Sequence, residues 1–286
     1  MTTITPAEIV RNIRDLPALP LIVAELITSF ERPDVSVQML ADKVSQDQVL
    51  AAKTLRLANS SFYGLQSKVR TIHQAINVLG FDSVRALLTG TAIIGNFDDR
   101  GDSAFDFRAF WRHAIASALC AKSLARITNA NEDYAFISGL LHDIGTLVLV
   151  TRFPEPYMAA ISYRSANDCS MLDAERTVLA VDHAAVGGAL AEYWKFPALI
   201  QRAIADHHAP MQQDLGGIPS IVHVADAIAH ALDLCAQEDD LVPHIDEEAW
   251  KSLKIGPAEI HSVFRETEAG FESACQILVA GSTYRD

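Results

Sequence analysis

The segment Gly139-Leu140-Leu141-His142-Asp143-Ile144-Gly145 sets an imidazole beside a carboxylate in an otherwise apolar stretch. Burying both without partners would cost several kcal/mol, so the pair requires compensating groups around it. Three other apolar stretches carry the same anomaly. His113 shares a helical face with Ser117, Cys120, Leu124 and Ile127, a surface suited to burial. His183 precedes Gly187 by four residues and Leu190 by seven, on a stripe that continues to Trp194. Asp226 lies within Ile221–Ile228, whose flanks are too apolar for a comfortable surface carboxylate. His207 and His208 stand where a helix is expected to end. Each alone reads most simply as a hydrogen-bonded core residue or a cap, and the last two would offset a helix dipole. Together they make a different case. Imidazoles and carboxylates spread over several helices around one His-Asp pair are the donor types that bind Zn, Fe, Mn or Ni. The candidate ligands of a divalent metal are therefore His113, His142, Asp143, His183, His207, His208 and Asp226.

These residues need helices to position them, and the apolar spacing supplies helices almost throughout. Pro17-Ala18-Leu19-Pro20 is a rigid break before an amphipathic helix over Leu21–Phe30. Asp34 and Ser36 precede a short helix, Val37–Val44, and Ser45 with Asp47 offers capping for a third that ends at Asn59-Ser60-Ser61. Gly64 marks the following turn. Thr71–Leu79 is expected as a helix ended by Gly80, with Asp82 or Ser83 capping the next, through Ile94. Further helices are expected over 105–128, 132–152, 154–167, 171–181, 184–193, 197–206 and 219–236, with two or three more over 247–279. On this reading His142 and Asp143 are neighbours within one helix. They point about 100° apart and reach a common ion at its side, with nearby glycines admitting another helix closely. Strand signals are nearly absent, so the expected fold is all-α. Residues 1–97 form a smaller helical lobe, 98–236 a second lobe with the candidate site, and 237–286 a helical tail, with 96–103 as the linker.

Composition limits the partners. The formal charge is -13, with 36 acidic against 23 basic residues, which opposes nonspecific attraction to nucleic acid or anionic lipid. Lys53, Arg56, Lys68, Arg70 and Arg85 scatter positive charge over the first lobe and are expected on solvated helix faces. Acidic residues gather at Glu238-Asp239-Asp240 and Asp246-Glu247-Glu248, as in a solvated loop and a helix start. The opening MTTITPAEIV lacks the features of a secretory signal, and no run approaches the roughly 18 consecutive apolar residues of a membrane span. Cys120, Cys169, Cys235 and Cys275 form no C-x-x-C pair. The expectation is a cytoplasmic protein with reduced thiols and no membrane partner.

The order His113, His142-Asp143, Asp226 resembles the H…HD…D series of the HD superfamily of metal-dependent phosphohydrolases. His183 with His207 or His208 resembles the added histidines of its two-metal members. The wording of Leu16–Pro20, Val49–Gly64, Ile72–Leu88, Phe110–His113, Gly139–Leu147, Asp182–Gly187 and His207-His208 is similar to an HDOD domain over about residues 14 to 235. That resemblance implies an HD-like helical bundle behind the smaller lobe. It also implies a stand-alone bacterial signal-transduction module acting through protein partners, with a homo-oligomer compatible. Phe62 and Tyr63 are candidates for partner contacts.

Two departures from the enzymatic pattern bear on catalysis. The cyclic-dinucleotide phosphodiesterase branch has Lys after HDIG, whereas Thr146 stands here, and a neutral hydroxyl cannot stabilise phosphate charge as an ammonium does. That branch also carries Gly-Tyr-Pro after its His pair, where Ala209-Pro210-Met211-Gln212-Gln213 follows here. The expectation is a noncatalytic module that retains a metal. The competing expectation is a metal-dependent phosphohydrolase acting on a nucleotide or another phosphate ester, with two ions about 3.5 to 4 Å apart activating water.

Overall fold

The computed structural model describes residues 4–16, 19, 21–31, 37–59, 68–97, 105–235 and 241–279. Among them the regular structure is helical, with no strand, and the fold is all-α. In chain order the helices are α1 (Pro6–Arg14), α2 (Leu21–Thr28), α3 (Val37–Gln46), α4 (Gln48–Ala58), α5 (Ile72–Leu79), α6 (Phe81–Asn96), α7 (Phe107–Thr128) and α8 (Glu132–Leu141). They continue with α9 (Ile144–Arg152), α10 (Pro154–Asn167), α11 (Met171–Leu179), α12 (His183–Tyr193), α13 (Ala198–Ala205), α14 (Ile218–Ala231), α15 (Glu247–Leu253) and α16 (Pro257–Leu278). Most of the Pro17–Pro20 break, Asp34 and Ser36, the segment 60–67 with Phe62, Tyr63 and Gly64, most of the 96–103 linker, and Glu238, Asp239 and Asp240 lie outside the described residues.

The starts of the helices follow local capping chemistry. Asp47 accepts the backbone N–H groups of Val49 and Leu50 at 3.0 Å, which begins α4. Thr71 accepts from Gln74 to begin α5, and Asp246 accepts from Ala249 to begin α15. One expected cap is corrected: α6 starts from Gly80 without a side-chain cap. Asp82 is paired with Arg85, and Ser83 donates to Asp133 at 2.9 Å. Arg85 is also corrected, because it is buried, donates to the Ser29 carbonyl at 2.6 Å, and lies 3.9 Å over the Phe30 ring. Lys53 is buried as well, so two of the five scattered cations do not sit on solvated faces.

α7 is the central rod, with Trp111, Ile115 and Leu124 fully enclosed. α8 and α14 flank it, and α16 lies along it through Phe271, Ala274 and Leu278. Polar contacts fasten α16 further: Arg112 meets Glu272 at 2.7 Å, Ser123 donates to Glu266 at 2.7 Å, and Cys120 Sγ is 3.3 Å from Thr267. A second core joins α2 to α6 through Leu26, Val44, Leu50, Ile72, Ile76 and Leu88. α1 packs elsewhere, against α9 and α12, with the Ile4 N–H donating to the Leu179 carbonyl at 2.9 Å.

The single helix expected over 132–152 is two helices, broken at the His-Asp pair. Asp143 has φ -96° and ψ 11°, and the Thr146 N–H reaches back to its carbonyl at 2.9 Å. The stretch Glu132–Arg152 is apolar enough by length and composition to cross a membrane, but 83% of its most apolar window is buried within the protein. It is a core element, and the break is where its polar pair leaves the apolar stripe.

Candidate metal centre

Five elements converge on the break. α7 supplies His113 from its buried face. The α8–α9 junction supplies His142 and Asp143, the first residue of α12 is His183, the turn after α13 carries His207 and His208, and α14 supplies Asp226. Two glycines permit this approach. A methyl group on Gly139 would lie 2.9 Å from the Ser117 carbonyl of α7. One on Gly145 would overlap the His183 carbonyl and lie 2.5 Å from the Gly187 nitrogen of α12. Asp182 begins α12 by accepting from Ala185 at 2.8 Å, which sets His183 at the mouth of that helix.

All seven candidate ligands come together around the two aspartates. Asp226 Oδ1 lies 2.9 Å from His113 Nε2 and 3.3 Å from His142 Nε2. Asp143 stands between the two groups of imidazoles: its Oδ2 is 3.3 Å from His142 Nε2 and 4.0 Å from His113 Nε2. Its Oδ1 is 3.3 Å from His183 Nε2 and 3.4 Å from His207 Nε2. His208 completes the second group, with Nε2 2.8 Å from His183 Nε2. His142 and His207 are wholly enclosed, whereas Asp143 keeps 22% of its side chain exposed and opens the cluster to solvent.

The outward nitrogens fix how the inward ones present themselves. His142 Nδ1 donates to the Gly139 carbonyl at 2.7 Å, and His207 Nδ1 donates to the Ile204 carbonyl at 2.8 Å. His183 Nδ1 donates to Glu175 Oε2 at 2.6 Å, and the same oxygen accepts the His183 backbone N–H at 2.8 Å. Each Nε2 is thereby aimed at carboxylate oxygens that only accept. The Nε2 atoms of His142 and His183 are matched to those oxygens by a second proton or by a shared cation.

Electrostatics follow from that crowding. Burial opposes charge on every group here, but the ion pairs outweigh it at the centre. Asp143, between His142 and His183, is held well below the usual carboxylate range, as is Asp226 through His113 and His142. His142 is raised well above the ordinary imidazole value by Asp143 and Asp226. His183 is pushed up to about 9, since Glu175 and Asp143 together overcome its burial. His208 goes the other way, to about 2, through burial and the neighbouring His207 and His183. His113 is likewise lowered by burial, against the pull of Asp226.

These residues fit a divalent cation. His207 Nε2 is buried and has no hydrogen-bond partner, an orphan that ordinarily costs about 1–3 kcal/mol. Four of the imidazole-to-carboxylate separations are 3.3–3.4 Å. Two donors each ~2.0–2.1 Å from a tetrahedral ion stand about 3.3 Å apart, whereas an N–H···O hydrogen bond has its mode near 2.9–3.0 Å. Among the described residues, three histidine or histidine–carboxylate groups have all their donor atoms within 4.8 Å of one another: His113 with His142 and Asp143, His183 with His207 and His208, and His113 with Asp226 and His230.

The last of these contains a residue the sequence reading missed. His230 stands one turn after Asp226 on α14, so its i,i+4 spacing was the available signal. Glu175, behind His183, and His223 were missed too. His223 Nδ1 donates to the His207 carbonyl at 2.6 Å while its Nε2 accepts the Asp246 backbone N–H at 2.8 Å, which ties the site to the start of α15. Thr146 is buried.

Comparison with known proteins places this geometry in a family. A solved structure named "Putative phosphohydrolase", from Shewanella amazonensis SB2B, superposes with a TM-score of 0.75 at 26% identity, covering 95% of this chain and 97% of that one. A "Putative signal transduction protein" from Marinobacter aquaeolei VT8 superposes with a TM-score of 0.72 at 24% identity, covering 93% of this chain and 60% of that one. An "Uncharacterized protein" of Treponema pallidum (strain Nichols) is 28% identical over 213 residues, 72% of this chain. The chain spans only 40% of that relative's length. The HDOD domain family matches residues 16–210, well over half of the sequence, and the chain belongs to the HDOD family.

Proposed function

We propose that this protein is an HDOD signal-transduction module whose HD centre holds divalent metal as a structural or sensory element, and that it acts through protein partners in the cytoplasm. The observation that carries the reading is the cluster itself, in which imidazole Nε2 atoms face acceptor-only carboxylates and His207 Nε2 stands buried without a partner. Zn, Fe, Mn and Ni all suit this donor set. The residues would divide the work. His113, His142 and Asp226 would hold one position and His183, His207 and His208 a second, with Asp143 between them. Glu175 fixes the tautomer of His183, as carboxylates behind metal-bound imidazoles do. A divalent cation there supplies positive charge that offsets both aspartates and Lewis acidity toward an oxygen ligand.

The signalling reading is preferred to catalysis because of Thr146. At the position after HDIG the side chain is a buried neutral hydroxyl, so it offers no cation to a phosphate. The second reading, a metal-dependent phosphohydrolase acting on a nucleotide or other phosphate ester, is favoured by Asp143. A carboxylate between two donor groups is the arrangement that two-ion phosphate chemistry uses.

Elemental analysis of protein purified without chelators, beside a His142→Ala/Asp143→Ala variant, separates the cases when paired with a chromogenic phosphodiester assay. Stoichiometric metal without turnover is the expected result. Turnover that disappears in the variant would establish the second reading, and metal-free wild type that refuses added Mn²⁺, Fe²⁺ or Zn²⁺ would defeat both.

A further inference from the structure

His230 lies outside the H…HD…D series, yet its position is that of a ligand. Its Nε2 is 3.4 Å from Asp226 Oδ1, the oxygen that already faces His113 at 2.9 Å and His142 at 3.3 Å. Three imidazole nitrogens therefore surround one carboxylate oxygen. The His230 ring lies 4.2 Å from the His113 ring, tilted by 38°, and its donor atom is within 4.8 Å of those of His113 and Asp226. It is set by the helix: residues four apart on α14 share a face, so the turn that aims Asp226 inward aims His230 at the same place. Its side chain is 19% exposed, against 5% for Asp226, which puts it at the rim between the cluster and solvent.

We infer that His230 is an additional metal ligand, completing the position formed by His113, His142 and Asp226. This rests on the proposal that the HD centre holds metal. With His230 the two positions match in their imidazoles and differ by Asp226, which faces only the first. Each has three imidazoles (His113, His142 and His230 in one; His183, His207 and His208 in the other), and each borders a carboxylate oxygen of Asp143.

A consequence follows for function. A catalytic centre keeps an open position for water or substrate, whereas a structural centre is closed by protein donors. With Asp143, which borders this position too, His113, His142, His230 and Asp226 give it five protein donors, one more than a tetrahedral position takes. A closed first position suits a structural or sensory centre and works against two-ion hydrolysis.

The test strips the full-length protein with chelator and reloads it with Co²⁺, whose visible absorption reports the donors around it. Wild type is compared with His230→Phe, which keeps a ring against His113 but removes the nitrogens. Further comparisons are His230→Ala and His183→Phe, the last perturbing the other position. Thermal melting of the metal-free forms establishes that each variant folds. The expected result is that His230→Phe and His230→Ala both weaken Co²⁺ retention about tenfold or more in chelator competition, the scale on which even outer-shell partners act. Their spectral change should differ from that of His183→Phe.

Unchanged affinity and spectrum in His230→Phe would show that the residue only packs on His113, and would overturn the inference while leaving a metal centre intact. Wild type that takes up no Co²⁺ would overturn the inference together with the reading on which it rests. A measurement that needs no variant guards against misfolding. In wild type loaded with NMR-active cadmium, scalar coupling between the metal and the His230 ring is expected, and coupling confined to the other imidazoles would refute the assignment.

Discussion

Replacing Glu175 tests whether the imidazole cluster is organised for metal. Glu175 is fully buried, and one of its oxygens accepts both the Nδ1–H of His183 at 2.6 Å and the backbone N–H of the same residue at 2.8 Å. Glu175→Gln keeps an oxygen acceptor in nearly the same shape, removes the charge, and puts an NH2 group where the other oxygen is buried without a partner. A charge-assisted hydrogen bond is roughly twice as strong as a neutral one, and loss of an outer-shell partner typically lowers metal affinity about 10–100-fold, or about 1.4–2.7 kcal/mol. The Gln variant should therefore bind Zn²⁺ or Mn²⁺ about tenfold or more weakly. Glu175→Ala should add a stability loss of about 1–3 kcal/mol, because it strands the buried His183 donors. Competition against a chromophoric chelator gives the affinity, and denaturant unfolding gives the stability. A Gln variant within twofold of wild type in affinity would refute the idea that Glu175 tunes a ligand.

Other predictions follow from the same geometry. In the metal-free protein His142 and His183 have raised pKa values, the latter to about 9, so both carry a second proton at pH 7 and metal must displace it. Uptake at pH 7 should release about two protons, measurable by calorimetry in buffers of different ionisation enthalpy, and apparent affinity should rise with pH through about 9, where His183 loses its second proton. The same shifts govern stability without metal. His183 contributes stability that is fully present below about 6.5 and is lost as pH rises through about 9, and His142, raised in the same direction, acts with the same sign. The lowered carboxylates, Asp143 and Asp226, contribute above about 3.8 and lose it as pH falls, so metal-free stability should decline on both sides of a plateau. Gly145→Ala drives a methyl into the α12 backbone and should cost about 1–3 kcal/mol while abolishing metal retention, whereas an unchanged unfolding midpoint would contradict the close packing. His223→Ala should speed hydrogen exchange at the Asp246 amide, whose acceptor it removes.

Most of the helical architecture was legible because apolar residues recur at the helical period, and Asp47, Thr71 and Asp246 cap where their short oxygen-bearing side chains suggest. What failed depended on residues distant in sequence. Ser83 does not cap α6 because Asp133, fifty positions away, takes its hydroxyl. Arg85 left the surface because Phe30 and the Ser29 carbonyl receive it. The break at His142-Asp143 is invisible to hydropathy, since apolar residues run on both sides of it. In the cluster, the seven candidate ligands stood out as polar groups in apolar surroundings. Glu175 did not, because a glutamate on the amphipathic α11 reads as solvated until the helix is seen packed with that residue inward. His230 was one helical turn from a recognised candidate and was legible in principle.

The central claim is that the His and Asp side chains around Asp143 hold a divalent metal. A crystal grown in the presence of Zn²⁺ or Mn²⁺, with data collected on either side of the metal's absorption edge, tests it most directly. The prediction is an anomalous peak about 2.0–2.2 Å from an Asp143 carboxylate oxygen and from imidazole Nε2 atoms. Imidazoles turned apart around Asp143, with no anomalous density between them, would contradict it.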